Sequence, residues 1–302
     1  MFGGRTAPRL DAINTQLEVL SAQVRELQTL LASRTKVLGH TMFLDPKDQV
    51  VSPTLLHTGC FEPLETELVM RIVRPGDVVL DLGANIGYYT LLFARLVGDS
   101  GKVIAFEPDP GNFNLLRKNL HANGYRNVIL HNKAVADSNG TLRLHLCEEN
   151  KGDHRLYDSG DDRSSIAVET ITIDDAIAGV ADRVDLIKMD IQGSEPRALR
   201  GMQKTLARNP NVKLISEFWP ISFDRTGHKA DEYLDELRRL GFTLWNIDED
   251  REVIQPSTAQ ELLETYGPTK KFGFTNLYCV RGEGNVSTAR KALAGIYRPA
   301  AA

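Results

Sequence analysis

The chain is short of several things a 302-residue protein often carries. It has three cysteines, Cys60, Cys147 and Cys279. They are far apart, form no C-x-x-C pair and suit neither a disulfide framework nor a thiolate metal site. That usage points to a reducing, cytoplasmic setting. No run approaches the ~18 apolar residues of a membrane span, and no apolar stretch marks a signal peptide at the N-terminus. Basic excess is also missing: 36 Lys and Arg stand against 40 Asp and Glu, a net charge of -4 and a pI near 6.0. No positive field is available to draw in nucleic acid, and a neutral or weakly polar substrate fits this balance better than a polyanion. With 42% apolar residues there is material for a sizeable core.

Three regions separate by pattern. Residues 1–35 hold Leu10, Ile13, Leu17, Leu20, Val24, Leu27 and Leu31 at alternating spacings of three and four. This is an a/d heptad and predicts a coiled-coil helix, either self-associating into a homo-oligomer or folding back on its own domain. Residues 36–283 read as one α/β domain. Apolar strands at 78–82, 102–107 and 127–132 alternate with helices at 88–97 and 112–122, the signature of βαβ units in a doubly wound, mostly parallel sheet. Two alternating segments, 141–146 and 166–173, predict a hairpin, and the polar stretch 148–165 between them is either disordered or functional. Strands at 184–189, 212–217, 242–247 and 276–281 and helices at 196–207 and 230–240 resume the earlier pattern. Residues 284–302 form a polar, Ala-rich tail.

The chemistry begins where strand VVLDL runs into Gly83-Ala84-Asn85-Ile86-Gly87 and then a helix. Gly83 permits a sharp reversal, and Gly87 permits close approach of helix and ligand. Glu107 ends the next strand, where a carboxylate can accept the hydroxyls of an adenosine ribose. NAD, FAD and S-adenosylmethionine (SAM) all use this layout. The dinucleotide fingerprint needs G-x-G-x-x-G, and here Asn85 stands at the middle glycine. Asp81 is a poor neighbour for a pyrophosphate and an acceptable one for a cationic amino-acid moiety. Both points favour SAM over NAD.

The stretches PGDVVLDLGANIGYYTLLFA, VIAFEPDPGNFNLLRKNL, NVILHNKAV and VDLIKMDIQGSEPRALRG occur in this order. Together they resemble the FkbM family of SAM-dependent methyltransferases, over roughly residues 50 to 280. The resemblance implies a class I methyltransferase sheet of seven strands with the last antiparallel. It also implies methyl transfer to a hydroxyl oxygen of substrates such as polyketides, sugars and glycolipids. By position it would place Asp81, Gly83, Ala84, Asn85, Gly87 and Thr90 at the methionine end of SAM and Glu107 at the ribose. Pro108 and Asp109 would flank the adenine, with Asn132 and Ala134 beside it.

For the catalytic side, the acids at strand ends are the candidates. Asp190 ends VDLIKMD, with Lys188 two residues earlier on the same strand face. Glu195 starts a helix and Glu217 ends VKLISE. A general base typically contributes ~10²–10⁴-fold, while alignment supplies up to ~7–11 kcal/mol, so no single base need stand out. His228 and His154 are alternative bases. Asp190, Glu195 and Glu217 together form an alternative Mg²⁺ site. Phe218, Trp219 and Phe223 are candidate walls of an acceptor pocket, and Tyr88 and Tyr89 candidate covers for the cofactor. The competing readings are an NAD-linked oxidoreductase and a scaffold that kept the fold without catalysis.

Overall fold

The computed structural model describes residues 34–269 and 273–282, with Gln16, Leu17, Leu20, Ser287 and Leu293. The heptad lies outside the described residues except at Leu17 and Leu20, which are helical and 55% and 56% exposed. The chain opens with a hairpin, β1 (Arg34–Val37) and β2 (His40–Phe43), then helices α1 (Val51–Thr58) and α2 (Pro63–Ile72). Next come β3 (Val78–Leu82), α3 (Tyr88–Val97), β4 (Lys102–Phe106), α4 (Pro110–Asn123) and β5 (Val128–His131). A small three-stranded sheet follows, from β6 (Ala134–Val135), β7 (Gly140–His145) and β8 (Ser165–Ile171). After α5 (Ile173–Ala176) come β9 (Leu186–Met189), α6 (Glu195–Arg200), α7 (Gln203–Arg208), β10 (Lys213–Phe218), α8 (Pro220–Arg225) and α9 (Ala230–Arg239). The described fold ends with β11 (Phe242–Asp248), β12 (Val253–Pro256), α10 (Ala259–Tyr266) and β13 (Thr275–Arg281).

The main sheet has eight strands in the order β12-β11-β13-β10-β9-β3-β4-β5. Strands β10, β9, β3, β4 and β5 pair in parallel, and β13 is antiparallel to both β10 and β11. The expected count of seven is therefore one short. Strand β12 adds to the edge by pairing antiparallel with β11 across the turn after Asp248. Its four residues, which follow a charged turn and end on Pro256, are too few to show an alternation in sequence.

Neighbouring residues on each central strand face opposite layers. Val79, Val103 and Leu186 join the core under α1 to α4, while Leu80, Ile104 and Ile187 join the core under the later helices. Burial on both faces is why these strands read as unbroken apolar runs. Leu293 of the C-terminal tail is also buried in the first core. The predicted hairpin is present as the antiparallel pair β7–β8. The single helix expected over 196–207 is two, α6 and α7. They break at Gly201, whose position leaves a side chain only 2.1 Å from the Ala136 carbonyl oxygen.

Helix ends follow from local chemistry. The Asp109 side chain caps α4 by accepting the Asn112 N–H at 2.8 Å, Pro110 starts the helix and Gly124 closes it in the left-handed region. Helix α10 begins with a capping box between Thr258 and Glu261.

The turns after β3 and β9 press together. A Cβ on Gly83 would sit 1.9 Å from the Asp190 carbonyl oxygen, and Gly83 holds φ +87°. Gly83→Ala is therefore expected to destabilise the fold by about 3 kcal/mol or more, by overpacking plus strain. Gly179→Ala, at φ +70° in open space, should lose only about 1–2 kcal/mol. Urea denaturation of the two variants checks the difference.

Candidate functional site

A cleft of about 500 Å³ opens at the carboxyl ends of the parallel strands. It straddles the boundary between β3 and β9, where the winding direction of the sheet reverses. One half is built by the turns after β3, β4 and β5. The Asn85 N–H donates to Glu107 Oε2 at 2.8 Å, and the Asp109 N–H donates to Oε1 at 2.9 Å. Burial raises the Glu107 carboxyl to about 8, against the lowering effect of those two bonds. Asp81 is also buried; its Oδ2 accepts the Thr90 hydroxyl at 2.5 Å. Burial lifts Asp81 to about 6 despite Thr90 and Lys188. Ala134, Val135 and Leu144 supply apolar wall.

The polar stretch 148–165 is ordered, and its first part closes over this half. The Lys151 carbonyl accepts from Asn85 Nδ2 at 3.2 Å and Asn112 Nδ2 at 2.9 Å. The Lys151 N–H donates to Asp48 at 3.1 Å. Arg155 holds Asp153 through two bonds of 2.6 and 2.8 Å and lies 4.8 Å over the Trp219 ring.

The other half is acidic. Lys188, on β9 and almost wholly buried, lies 3.3 Å from Glu65, 3.5 Å from Asp190 and 4.4 Å from the centre of the Tyr89 ring. Its ammonium is held well above the usual lysine range because the nearby Glu65, Asp190, Glu62 and Asp81 outweigh burial. Glu62 accepts the Tyr89 hydroxyl at 3.1 Å and Asn276 Nδ2 at 3.0 Å, and burial with Glu65 beside it raises it to about 8. Gln192 bridges Asp190 (2.8 Å) and Glu217 (3.3 Å). Glu217 is pushed well up by burial and by Asp190.

The cleft brings together Asp81, Gly83, Ala84, Asn85, Glu107, Pro108, Ala134, Lys188, Asp190 and Glu217. Other candidates lie outside its walls. Gly87 packs closely against Leu116, and Thr90 donates to Asp81. Asp109 caps α4, and Asn132 donates to the Glu107 and Pro108 carbonyls at 2.8 and 3.1 Å. Glu195 does not reach the cleft: its carboxylate accepts the Ile191 and Gly193 N–H groups at 2.8 and 2.9 Å and so shapes the loop after Asp190. His228 sits 3.0 Å from Arg200, away from the cleft. His154 does line it, with Nδ1 accepting the Cys147 N–H at 3.0 Å. Phe218 and Phe223 are core residues, whereas Trp219, Tyr88 and Tyr89 are walls. The structure lends the Mg²⁺ alternative no support, since the Glu195 carboxylate is turned to backbone N–H groups. Among the described residues no three His, Cys, Asp or Glu side chains are grouped to hold a metal ion.

Sequence reasoning missed Glu62, Glu65 and Glu249. All three are near helix α2: Glu249 accepts the Leu64 and Glu65 N–H groups at 3.1 and 2.8 Å. Acids in a first helical turn carry no local mark of a site. The one structural flag is the φ of +43° at Glu62, a strained value for a residue other than glycine.

The model of the methyltransferase FkbM domain matches residues 81–244, over half of the chain. The chain belongs to the FkbM methyltransferase family. A second model, the TRM5/TYW2 methyltransferase domain, matches residues 9–143. Among curated relatives, the 2-O-methyltransferase NoeI of Sinorhizobium fredii is 30% identical over 47% of this chain and 64% of its own length. The 31-O-demethyl-FK506 methyltransferase FkbM of Streptomyces tacrolimicus is 32% identical over 57% of this chain and 75% of its own. A solved methyltransferase FkbM from Methylobacillus flagellatus overlays with a TM-score of 0.41 and 18% identity, covering 71% of this chain and 50% of that one. Among the described residues no helix is long and apolar enough to cross a membrane.

The raised carboxyls set a pH dependence. Glu107 titrates near 8 when folded, against 4.5 for the free side chain. A raised carboxyl contributes stability that is complete below its unfolded pKa and lost as pH rises through the folded one. The ligand-free protein should thus lose melting temperature between about pH 5 and pH 8. In Glu107→Gln the slope should be shallower, as read from melting curves across that range. A wild-type curve rising with pH through this window would contradict it.

Proposed function

We propose that the protein transfers a methyl group from SAM to a hydroxyl oxygen of a small molecule, a sugar or glycolipid, or a polyketide-type product. The observation that carries this reading is the pair Asn85 and Glu107, within a cleft whose other half is lined by acids. The residues suit SAM chemically. Each Glu107 oxygen accepts one backbone N–H, and a carboxylate oxygen has capacity for two bonds, so a ribose diol can be accepted there. Asp81 offers a buried carboxylate to a cationic amino-acid end. The apolar wall at Ala134, Val135 and Leu144 suits a flat base. When bound, SAM would supply an electrophilic methyl on a sulfonium. The chain's own residues then do three things. The ordered 148–156 strap keeps water from the cofactor half, Lys188 keeps Asp190 oriented, and Asp190 or Glu217 takes up the hydroxyl proton. Asn85 and Asp81 in place of a phosphate cradle disfavour a dinucleotide.

Calorimetry with SAH and NAD tests the cofactor: SAH is expected to bind, and Glu107→Ala to weaken it about 10- to 100-fold, the worth of two hydrogen bonds to the ribose diol. Binding of NAD without SAH would overturn the assignment.

We also propose self-association through the N-terminal heptad, supported by its a/d pattern and by the exposure of Leu17 and Leu20. Light scattering should show a smaller mass for Leu17→Asp with Leu20→Asp; an unchanged mass sinks the idea.

A further inference from the structure

The cleft's cations and anions are not matched in its two halves. Lys133 pairs with Glu169 at 2.8 Å, Lys151 with Glu148 at 3.0 Å and Arg155 with Asp153, so each cation of the cofactor half is neutralised locally. In the other half, Lys188 is taken by Glu65 and Asp190. Glu62, Glu217 and Glu249 remain. They accept only neutral donors: Tyr89 and Asn276 for Glu62, Gln192 for Glu217, and two backbone N–H groups for Glu249. Three carboxyl groups thus line one cleft with no cation at ion-pair distance, Lys188 acting on Glu62 and Glu217 only from farther off. Asp81 and Asp190 stand at the turns after β3 and β9, where the methyl donor's positive charge would lie, so the other three are not needed for it.

An aromatic surface stands beside these acids: Trp219 and Phe274 form a wall, their centroids 6.4 Å apart, and Phe274 is 56% exposed.

Resting on the methyltransferase reading, we propose that the acceptor is a ring-bearing alcohol with a protonated amine near its reactive hydroxyl. The hydroxyl and ammonium are donors that match an acceptor-lined wall, and the ring has a flat surface to lie against. The same charge arrangement works against acceptors that carry a carboxylate, since like charges brought together in a buried site repel strongly. The upward shift of Glu62 and Glu217 by burial agrees with this, because acids without a cation hold their protons until one arrives.

The test uses the full chain loaded with SAH and three matched probes. These are 2-aminocyclohexanol, cyclohexane-1,2-diol and 2-hydroxycyclohexanecarboxylate, with dissociation constants measured by calorimetry at neutral pH. The amine is expected to bind about tenfold more tightly than the diol, and the carboxylate least. In Glu217→Gln most of the amine's advantage should disappear, while the SAH dissociation constant stays within about twofold and reports an intact fold. A diol or carboxylate that binds as well as the amine, or a Glu217→Gln variant that keeps the full preference, overturns the proposal. Failure to bind SAH at all removes the methyltransferase reading itself, which keeps the two failures distinct.

Discussion

The ammonium of Lys188 is the charge on which the rest of the site depends. It sits almost fully buried on β9, one of the two central strands of the sheet, with Glu65 from α2 and Asp190 just past the end of β9 as its partners. Taking such a charge from water costs several kcal/mol, and only close anions repay it. The pairing fixes three things together. It locks α2 against the sheet, it holds the Asp190 carboxylate at the strand end, and it gives the Tyr89 ring a cation to lie beside. The neighbouring acids can gather there because Lys188 offsets part of their repulsion.

A second constraint is steric and works with the first. The turn at Gly83 lies against the Asp190 backbone so closely that no side chain fits between them. Asp81 and Asp190, on neighbouring strands, are thereby held at the two lips of one cleft. From that turn the chain continues to Asn85, whose backbone N–H meets Glu107 on the next strand. The side chain of Asn85 turns the other way, to the carbonyl of Lys151 in the strap. One residue therefore links the floor of the cofactor half to its cover. A glycine there, as a dinucleotide turn requires, would lose the link to the strap.

Much of this was legible in the sequence. The strands buried on both faces announced themselves as apolar runs, and the ends of α3 came from Gly87 and Gly98. Glu107 was identified because its position depends only on the length of one βα unit. What failed to show depends on packing between distant segments. Nothing near Glu62 or Glu65 says that a lysine more than 120 residues later will face them. Glu195 looked functional for the opposite reason: an acid after a strand-end loop is a frequent site residue, but here the loop needed an acceptor for its own N–H groups. The eighth strand was hidden by its brevity. The polar loop could not be decided at all, since the bonds that tie it to the cleft run to Asp48, Asn85 and Asn112, far from it in sequence.

For the methyl transfer we propose, these constraints favour positioning over any single base as the source of rate. Asp190 and Glu217 share one amide, Gln192, so a change at either acid is felt at the other. Removing a proton from the acceptor hydroxyl needs a carboxylate that is ionised at the moment of reaction. Burial opposes ionisation at Glu217 and Glu62, and Asp190 lies 3.5 Å from the Lys188 ammonium; in the reaction we propose, Asp190 takes the proton while the others hold the acceptor in line. Alignment of this kind can lower a displacement barrier by more than a base does. The loop that follows Asp190 is itself shaped by Glu195, so the one predicted catalytic acid that never reaches the cleft still holds the backbone beside one that does.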